Sequence, residues 1–343
     1  MKPTIREVAR EAGVSVATVS HALSGKRPVS ARTRGRITRA IERLGYRPNP
    51  IAAAMATGRT YTLGIVVPDI ANPFFGELLA AVERTAAERG YSMIASSSEL
   101  DSDLEARAVR TLYDRRADAI VYLPWSPEPT PALAEPTGGG TPVVCLDEDL
   151  SGIPETASVL TVDNARGGEL AAEHLRDLGH RRVGIVAGPL ELPTARDRVA
   201  GFRLVLEVAE ARLRAAEAYT VAAGRAAARE LLQAEPELTA LFCANDLIAV
   251  GALGAARELG RNVPAELSLV GFDDSFLAST VTPSLTTVRQ PLARLGREAT
   301  EIAIELIEGT RQEPVRRTLP VELVVRESTA SATAGASASR RIG

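Results

Sequence analysis

Eight polar or aromatic residues beyond residue 60 are of the types that bind hydroxyl groups, and most of them follow apolar, strand-like runs. They are Asn72, Phe74, Asp147, Arg198, Tyr219, Asn245, Asp273 and Gln290. Aromatic rings cover the CH faces of a neutral polyhydroxylated ligand, while carboxylate, amide and guanidinium groups hydrogen-bond its hydroxyls. The set therefore predicts a ligand cleft. Single residues have plainer explanations, since Phe74 could belong to the core and Asp246 could cap a helix.

Motifs of the common enzyme classes are absent from the sequence, which has no GxSxG nucleophile, Walker-type phosphate loop or HExxH zinc site. Gly167-Gly168 lacks the third glycine of a dinucleotide fingerprint, and His174 and His180 have no partner that would make a catalytic base. Cys145 and Cys243 lie far apart in apolar runs, which predicts two buried, reduced thiols. We therefore expect no enzyme activity, no metal and no cofactor.

A second group of residues with a common chemistry lies in the first 60 residues. This segment holds 12 Lys and Arg against three Glu, a net charge of +9, whereas the remainder holds 28 basic and 40 acidic residues, a net charge of −12. A cationic module on an anionic body indicates a polyanionic partner. A solvated basic face and a protein-docking module are the alternatives.

Helix signals divide this cationic segment into three helices. Thr4-Ile5-Arg6-Glu7 is a capping box, and Gly13 ends the first helix. Ser15 and Ser30 can cap two further helices, and Gly45 ends the third. The predicted helices span 5–12, 16–24 and 31–44, with Val19, Ala22 and Leu23 holding the second against the others. A helix, a tight turn, a short helix and a supporting helix form the helix-turn-helix pattern.

The second of these helices could read DNA bases. Val16 and Ala17 are small enough to enter a major groove and touch thymine methyls, and His21 could hydrogen-bond a base edge. The residues suited to phosphate contacts are Ser15, Thr18, Ser20, Arg32 and Thr33. Double-stranded DNA is therefore the predicted partner of this segment.

A short helix is predicted after the third one, where Asn49-Pro50 precedes IAAAMAT and Gly58. Proline suits the first helical position, and glycine suits the end. An isolated helix shorter than about 12–15 residues is marginal even in alanine-rich sequence, so this one needs a surface to fold against. An ordinary linker is the alternative.

From Tyr61 the hydrophobic pattern changes to apolar runs that alternate with amphipathic helices, which predicts parallel sheets. Predicted strands are 63–67, 91–95, 119–123, 143–146, 183–187, 218–221, 241–244 and 268–272. Predicted helices lie near 73–89, 104–115, 166–178, 198–209, 223–233 and 246–259. The two series predict two doubly wound lobes, whose strand ends collect the eight cleft residues. Further residues at the same ends are Asp69, Phe75, Ser96 to Ser98, Pro124, Trp125, Arg196, Asp246 and Asp274.

The chain resembles the lac repressor/galactose repressor family of bacterial transcriptional regulators. The resemblance is carried by Thr4-Ile5-Arg6-Glu7-Val8-Ala9, Ala12-Gly13-Val14-Ser15, Thr18-Val19-Ser20, Val29-Ser30, Thr33-Arg34 and Leu44-Gly45-Tyr46-Arg47-Pro48-Asn49. It continues in Val67-Pro68-Asp69-Ile70-Ala71-Asn72-Pro73-Phe74-Phe75 and in the run 194–202. It implies an all-α helix-turn-helix headpiece followed by an α/β, two-lobed, periplasmic-binding-protein-like domain with two doubly wound parallel sheets.

The resemblance also implies a domain division. A helix-turn-helix domain takes 1–48, a hinge helix and linker 49–60, a ligand-binding and dimerisation domain 61–330, and a disordered tail 331–343. The first lobe takes about 61–160 and 289–316, and the second about 161–288 and 317–330. The tail has no leucine heptads, so we expect a homodimer rather than a tetramer.

The family's site residues carry over to matching positions. DNA contacts are implied at Thr4, Ser15, Val16, Ala17, Thr18, Ser20, His21, Arg32, Thr33, Tyr46, Asn49, Ala52 and Met55. The family commonly has arginine where this chain has His21, so the operator bases do not transfer. Met55 stands where the family pushes a leucine into the minor groove. Effector contacts are implied at Phe74, Asp147, Arg198, Tyr219, Asn245, Asp273 and Gln290.

The function expected is sequence-specific transcriptional repression, controlled by a small molecule, a sugar, that binds between the lobes. The alternative is a two-lobed solute-binding receptor without a DNA role, against which the cationic segment and the lack of a visible secretory signal both count. The sequence contains no apolar stretch of about 18 residues, the length that predicts a membrane-spanning helix. A cytoplasmic protein is therefore expected. The sequence leaves open the effector's identity and whether it releases or promotes DNA binding.

Overall fold

The structure is a computed structural model of the 343-residue chain, and it describes residues 3–24, 27–46, 54, 58–135 and 140–332. Its helices are α1 (Ile5–Ala12), α2 (Val16–Ser24), α3 (Ala31–Leu44), α4 (Pro73–Glu88), α5 (Ser102–Asp114), α6 (Asn164–Asp177), α7 (Pro193–Val205), α8 (Val221–Ala234), α9 (Asp246–Glu258), α10 (Phe276–Thr280) and α11 (Leu292–Glu308). Its strands are β1 (Thr62–Val67), β2 (Ser92–Ser97), β3 (Ala119–Tyr122), β4 (Val143–Leu146), β5 (Ser158–Val162), β6 (Val183–Ala187), β7 (Leu213–Ala215), β8 (Ala240–Cys243), β9 (Ser268–Asp273), β10 (Thr286–Arg289), β11 (Arg316–Leu319) and β12 (Glu322–Val324).

The headpiece, α1 to α3, has the three helices that the sequence predicts. Thr4 and Glu7 form the capping box of α1, and Gly13 and Gly45 end α1 and α3 in the left-handed conformation. The core of the headpiece consists of Val8, Ala9, Ala12, Val19, Ile37 and Ala40. The expectation that Leu23 helps to hold α2 against the other helices is wrong, because Leu23 is 41% exposed.

Two six-stranded sheets form the rest of the described chain. The first has the order β11-β5-β4-β3-β1-β2 and is parallel throughout. The second has the order β12-β10-β9-β8-β6-β7 and is parallel except for β12, which is antiparallel to β10. Inner strands such as β6 and β8 are apolar runs buried on both faces, as covered parallel sheets require, whereas β2, β7, β11 and β12 at the sheet edges are partly exposed.

The chain passes between the two sheets three times, after β5, after β10 and after β11. β11 pairs with β5 in the first sheet as far as Leu319, three residues beyond the approximate lobe boundary at 316. Helix α11 follows β10 of the second sheet but packs against the core of the first lobe. Each lobe is therefore built from separated stretches of sequence.

One predicted strand is wrong. Residues 218–221 were expected to be extended, but β7 occupies 213–215 and α8 begins at Val221. Tyr219 therefore lies in the loop that leads into α8. Tyr219, Thr220 and Val221 favour a strand locally, but Thr220 caps α8 and the alanine-rich run that follows continues as a helix.

Helices α6 and α7 touch backbone to backbone at glycines. A Cβ on Gly201 would lie 1.9 Å from the carbonyl oxygen of Ala165, and one on Gly168 would lie 2.1 Å from that of Arg198. Gly168 is therefore a packing residue, which accounts for the Gly167-Gly168 pair without a nucleotide site. No helix in the described ranges is long and apolar enough to cross a bilayer.

Candidate functional site

All eight predicted cleft residues line one cavity between the two sheets. This cavity, here called the proximal compartment, has a volume of about 40 Å³ and is completed by Phe75 and Thr194. Asn72, Phe74 and Asp147 come from the first lobe, and the other five predicted residues lie in the second lobe or on the crossover after β10. The carboxyl ends of parallel strands meet at one edge of a sheet, which explains why residues so distant in sequence converge.

Arg198 occupies the centre of this arrangement and is 3% exposed. Its Nε donates to Asn164 Oδ1 at 2.8 Å, and its Nη1 donates to the carbonyl oxygen of Ala244 at 2.7 Å. Its Cζ lies 3.8 Å from the centroid of the Phe272 ring. These contacts fix the plane of the guanidinium, which is how arginine acts as a preorganised donor. Asn164 was not predicted, and no motif distinguishes it in the sequence.

Two acidic residues end strands in the left-handed region of backbone space, Asp147 with φ 74° and Asp273 with φ 108°. Such conformations cost energy in residues with side chains and cluster at functional sites. Burial raises the pKa of both carboxyls, and the nearby Arg198 lowers the pKa of each. Arg198 Nη1 lies 4.0 Å from Asp273 Oδ1, which also accepts from Gln290 Nε2 at 2.8 Å.

Several buried polar atoms at this site have no hydrogen-bond partner among the described residues. They are Asp147 Oδ1, Tyr219 Oη, Gln290 Oε1 and, farther out, Trp125 Nε1. Leaving such an atom unpaired costs about 1–3 kcal/mol. Ligand hydroxyls could supply hydrogen bonds to all four.

Two asparagines both cap helices and line the proximal compartment. Asn72 Oδ1 accepts from the amide of Phe74 at 3.1 Å, and Asn245 Oδ1 accepts from that of Ile248 at 2.9 Å. The alternative that Asp246 caps a helix is wrong, because Asn245 is the residue that caps α9. Asp246 Oδ2 accepts from the amide and hydroxyl of Ser275 instead, and burial raises the pKa of Asp246 to about 7.

Glu148 joins the lobes at the edge of the site, and no sequence motif indicates this role. Its carboxylate accepts from the hydroxyl of Thr194 at 2.5 Å and from the Thr194 amide at 3.2 Å. Burial, together with the charge of Asp147, raises the pKa of Glu148 to about 7. A second hydrogen bond between the lobes runs from the amide of Phe276 to Glu77 Oε1 at 3.0 Å.

A larger cavity opens beside the first one. This distal compartment has a volume of about 330 Å³ and shares Asn72, Phe75, Asp147 and Tyr219 with the proximal compartment. Among the additional strand-end residues, Asp69, Phe75, Pro124 and Trp125 line the two compartments. Ser96 to Ser98, Arg196, Asp246 and Asp274 line neither. Asp274 instead pairs with Arg289 and Arg326.

The headpiece presents most of the predicted DNA contacts on its surface. Val16 is 40% exposed, and Ala17 and Arg32 are exposed. Thr4 is exposed as well, and Thr18, Ser20, His21 and Thr33 are partly exposed. Ser15 Oγ accepts from the amide of Thr18 at 3.1 Å and so begins α2. Tyr46 packs against the headpiece core. Asn49, Ala52 and Met55 lie outside the described residues.

No cluster of three or more His, Cys, Asp or Glu side chains arranged to hold a metal ion occurs among the described residues. Cys145 and Cys243 are buried free thiols, and burial raises the pKa of Cys145 to about 12. Both cysteines are therefore core residues.

Comparison with known proteins places the chain in a family. Residues 4–49 match the model of bacterial regulatory proteins of the lacI family, and residues 172–329 match a periplasmic binding protein-like domain. The chain is 35% identical over 335 residues to the HTH-type transcriptional regulator DegA of Bacillus subtilis, covering 96% of this chain and 98% of that protein. The chain belongs to the lacI family.

Other lacI-family proteins match over the same extent. The ribose operon repressor of Halalkalibacterium halodurans is 34% identical, covering 95% of this chain and 97% of that protein. A solved complex of the transcriptional regulator CelR with cellobiose aligns with a TM-score of 0.73 and 33% identity, covering 95% of this chain and 100% of that one. The lac repressor dimer bound to operator and the anti-inducer ONPF aligns with a TM-score of 0.83 and 29% identity, covering 96% and 100%.

As a lacI-family protein, the chain is a DNA-binding transcriptional regulator and not an enzyme. The predicted fold class, a helix-turn-helix headpiece with a two-lobed α/β domain, is confirmed. The alternative of a solute-binding receptor without a DNA role is not favoured, because residues 4–49 match the regulator family itself.

Proposed function

We propose that the chain is a homodimeric repressor whose operator affinity is controlled by a sugar bound by the residues that line the proximal compartment. The observation that carries the proposal is the convergence of the eight cleft residues around one cavity, with the Arg198 guanidinium held by Asn164 and Ala244. Unpaired oxygens of Asp147, Tyr219 and Gln290 supply acceptors for hydroxyl groups. The ribose operon repressor and the CelR–cellobiose complex among the similar proteins support a sugar effector.

On the DNA side, we propose that α2 enters the major groove with Val16, Ala17 and His21 toward the bases. The phosphate contacts proposed are Thr4, Ser15, Thr18, Ser20, Arg32, Thr33, Tyr46 and Asn49. The hinge at 49–60, with Ala52 and Met55 against the minor groove, stays a prediction. We place the protein in the cytoplasm, with one headpiece from each subunit on a near-palindromic operator.

The domain division stays part of this proposal, with a headpiece at 1–48 and an effector domain at 61–330. The pairing of β5 with β11 supports ending the two segments of the first lobe near 162 and 319. The lobes then set the separation of the two hinges. A ligand with different affinities for two lobe arrangements shifts DNA affinity, typically by about 1–3 kcal/mol.

A ligand screen tests the proposal. The purified full-length chain is heated with sugars, nucleosides and purine bases, and unfolding temperatures are compared. A sugar present at about 100 times its Kd should raise the unfolding temperature by roughly 5 °C. The same compounds are then tested for an effect on binding to the DNA upstream of the chain's own gene. Stabilisation by a purine or nucleoside alone would overturn the sugar assignment.

A further inference from the structure

The distal compartment has the room that the proximal compartment lacks. The proximal volume of about 40 Å³ is only a few times the roughly 10–15 Å³ that one water molecule needs, measured as space for a water-sized probe. The distal volume of about 330 Å³ lies within the roughly 300–1,000 Å³ of small-molecule sites. Because four residues line both, one ligand can occupy the two compartments together.

The walls of the distal compartment are mostly apolar and come from both lobes. Trp125 and Leu100 belong to the first lobe, and Leu192 with Pro189 to the second. Prolines and an indole present flat, rigid CH and aromatic surfaces, which suit the faces of a six-membered ring. The proximal compartment, by contrast, offers the guanidinium of Arg198 and the carboxylate of Asp273.

Every charged residue that lines the distal compartment is acidic. They are Asp69, Asp147, Glu148, Glu191 and Glu217, and none of the described residues that line it is Lys, Arg or His. Glu191 and Glu217 are exposed, whereas Glu148 is bound to Thr194. A carboxylate or phosphate placed here would meet only like charges, so the compartment selects against anionic groups.

We infer that the effector is a neutral glycoside with two rings, a disaccharide or an aryl glycoside. The first ring lies beside the four residues that the two compartments share, so that its hydroxyls reach the polar groups of the proximal compartment, and the second ring lies against Trp125 in the distal compartment. The inference rests on the proposed sugar effector and narrows it. A monosaccharide leaves the apolar wall at Trp125 uncovered and binds more weakly.

Calorimetry on the full-length chain tests this inference with matched glucosides and galactosides. The probes are the methyl, 4-nitrophenyl and 4-carboxyphenyl glycosides, together with cellobiose and lactose. For the sugar that is recognised, the nitrophenyl glycoside should bind at least about tenfold more tightly than the methyl glycoside. The carboxyphenyl glycoside should bind about fivefold more weakly than its nitrophenyl counterpart.

Variants distinguish a specific contact between the second ring and Trp125 from nonspecific hydrophobic binding of the nitrophenyl group. Trp125→Ala should weaken nitrophenyl glycoside binding by about tenfold and leave methyl glycoside binding within about twofold, while Trp125→Phe keeps most of the affinity. Glu191→Gln with Glu217→Gln should remove most of the discrimination against the carboxyphenyl glycoside, without relying on a substitution in the protein interior. Thermal unfolding of each variant checks the fold.

The outcomes distinguish the two proposals. Equal affinity for methyl and nitrophenyl glycosides, or an equal loss of both with Trp125→Ala, overturns the two-ring inference and leaves the sugar effector standing. If no saccharide of either series binds, the proposed sugar effector fails and the inference fails with it.

Discussion

At the residue scale, the cleft depends on one buried cation between two buried carboxylates. Arg198 faces Asp273 at 4.0 Å and lowers the pKa of both Asp273 and Asp147, against the effect of burial. Removing one partner of a buried ion pair leaves the other uncompensated and costs about 3–5 kcal/mol. A substitution that tests the function of Arg198 must therefore keep its positive charge.

Arg198→Lys keeps the positive charge and removes the forked donor. We predict that it abolishes the effect of the ligand on DNA affinity, because lysine cannot reproduce the contacts to Asn164 and Ala244 that orient the group. DNA affinity without ligand should stay within about threefold of wild type, a change of less than 1 kcal/mol. Fluorescence anisotropy with labelled duplex, titrated with ligand, measures both quantities.

Arg196→Lys is the matched control, since Arg196 lies on the same helix but is exposed and donates to the backbone of Leu190 and Glu191. It should keep the ligand response. An unchanged response in Arg198→Lys would remove Arg198 from the effector site.

Glu148→Gln should change how stability depends on pH. The pKa of Glu148 is raised from 4.5 to about 7 by burial and by Asp147, while Thr194 and Arg198 act in the opposite direction. Between these two pH values the folded protein holds a proton that the unfolded chain releases. Wild-type stability contributed by this group is therefore present below pH 4.5 and is lost as the pH rises through 7, on the order of 3 kcal/mol in all.

Thermal unfolding at pH 5 and pH 8 tests this sign. Wild type and Glu148→Gln should be similar at pH 5, where both carry a neutral group, and the variant should be the more stable at pH 8. The exposed Glu207→Gln variant controls for a change in net charge. A difference between wild type and Glu148→Gln that does not vary with pH would contradict the assigned cause.

At the element scale, α7 carries Arg198 and is positioned by its backbone contact with α6. Gly201→Ala would place a methyl group 1.9 Å from the Ala165 carbonyl oxygen, so the helices must separate. We predict a loss of about 3 kcal/mol in the free energy of unfolding, together with weaker ligand binding. Gly76→Ala, in α4 with no atom within 4 Å of the added methyl, should instead be neutral or stabilising by up to about 1 kcal/mol. Chemical denaturation measures both, and equal effects would contradict the packing argument.

The sequence was informative where one local signal decides the structure. Capping residues and glycines located α1 to α3, and apolar runs located β3, β4 and β6 with few errors. Most of the eight cleft residues could be predicted because parallel strands deliver their carboxyl ends to one edge, whereas Tyr219 was placed on a strand that the structure does not contain.

Features that depend on distant contacts could not be predicted from the sequence. One error had a local cause instead: the start of α7 was expected near Arg198 but lies at Pro193, although proline favours the first helical turn and could have indicated this start. The three-residue, partly buried strand β7 is too short to show a hydrophobic pattern. The bridge between Glu148 and Thr194 joins residues 46 positions apart, and only the folded arrangement of the lobes brings them together.

At the scale of the whole molecule, the charge distribution assigns DNA binding to the headpiece and leaves ligand binding to the lobes. The first 60 residues carry +9 and the rest carries −12, so phosphates attract the headpiece and are repelled by the body. A protein with 6–10 phosphate contacts loses about 10³–10⁵ in DNA affinity between 50 and 200 mM salt. Steep salt dependence with little effect of salt on neutral ligand binding is the behaviour expected of this division.

The measurement that tests the central claim most directly is the affinity for a selected duplex with and without ligand. The full-length chain is used to enrich sites from a random duplex library, and anisotropy compares the enriched site with a scrambled one. The account predicts a near-palindromic site bound at least about 10³ more tightly than the scrambled duplex. The saccharide that stabilises the protein should change that affinity by about 5- to 150-fold. Absence of any preferred site, or a specific affinity that no cleft ligand alters, would contradict the account.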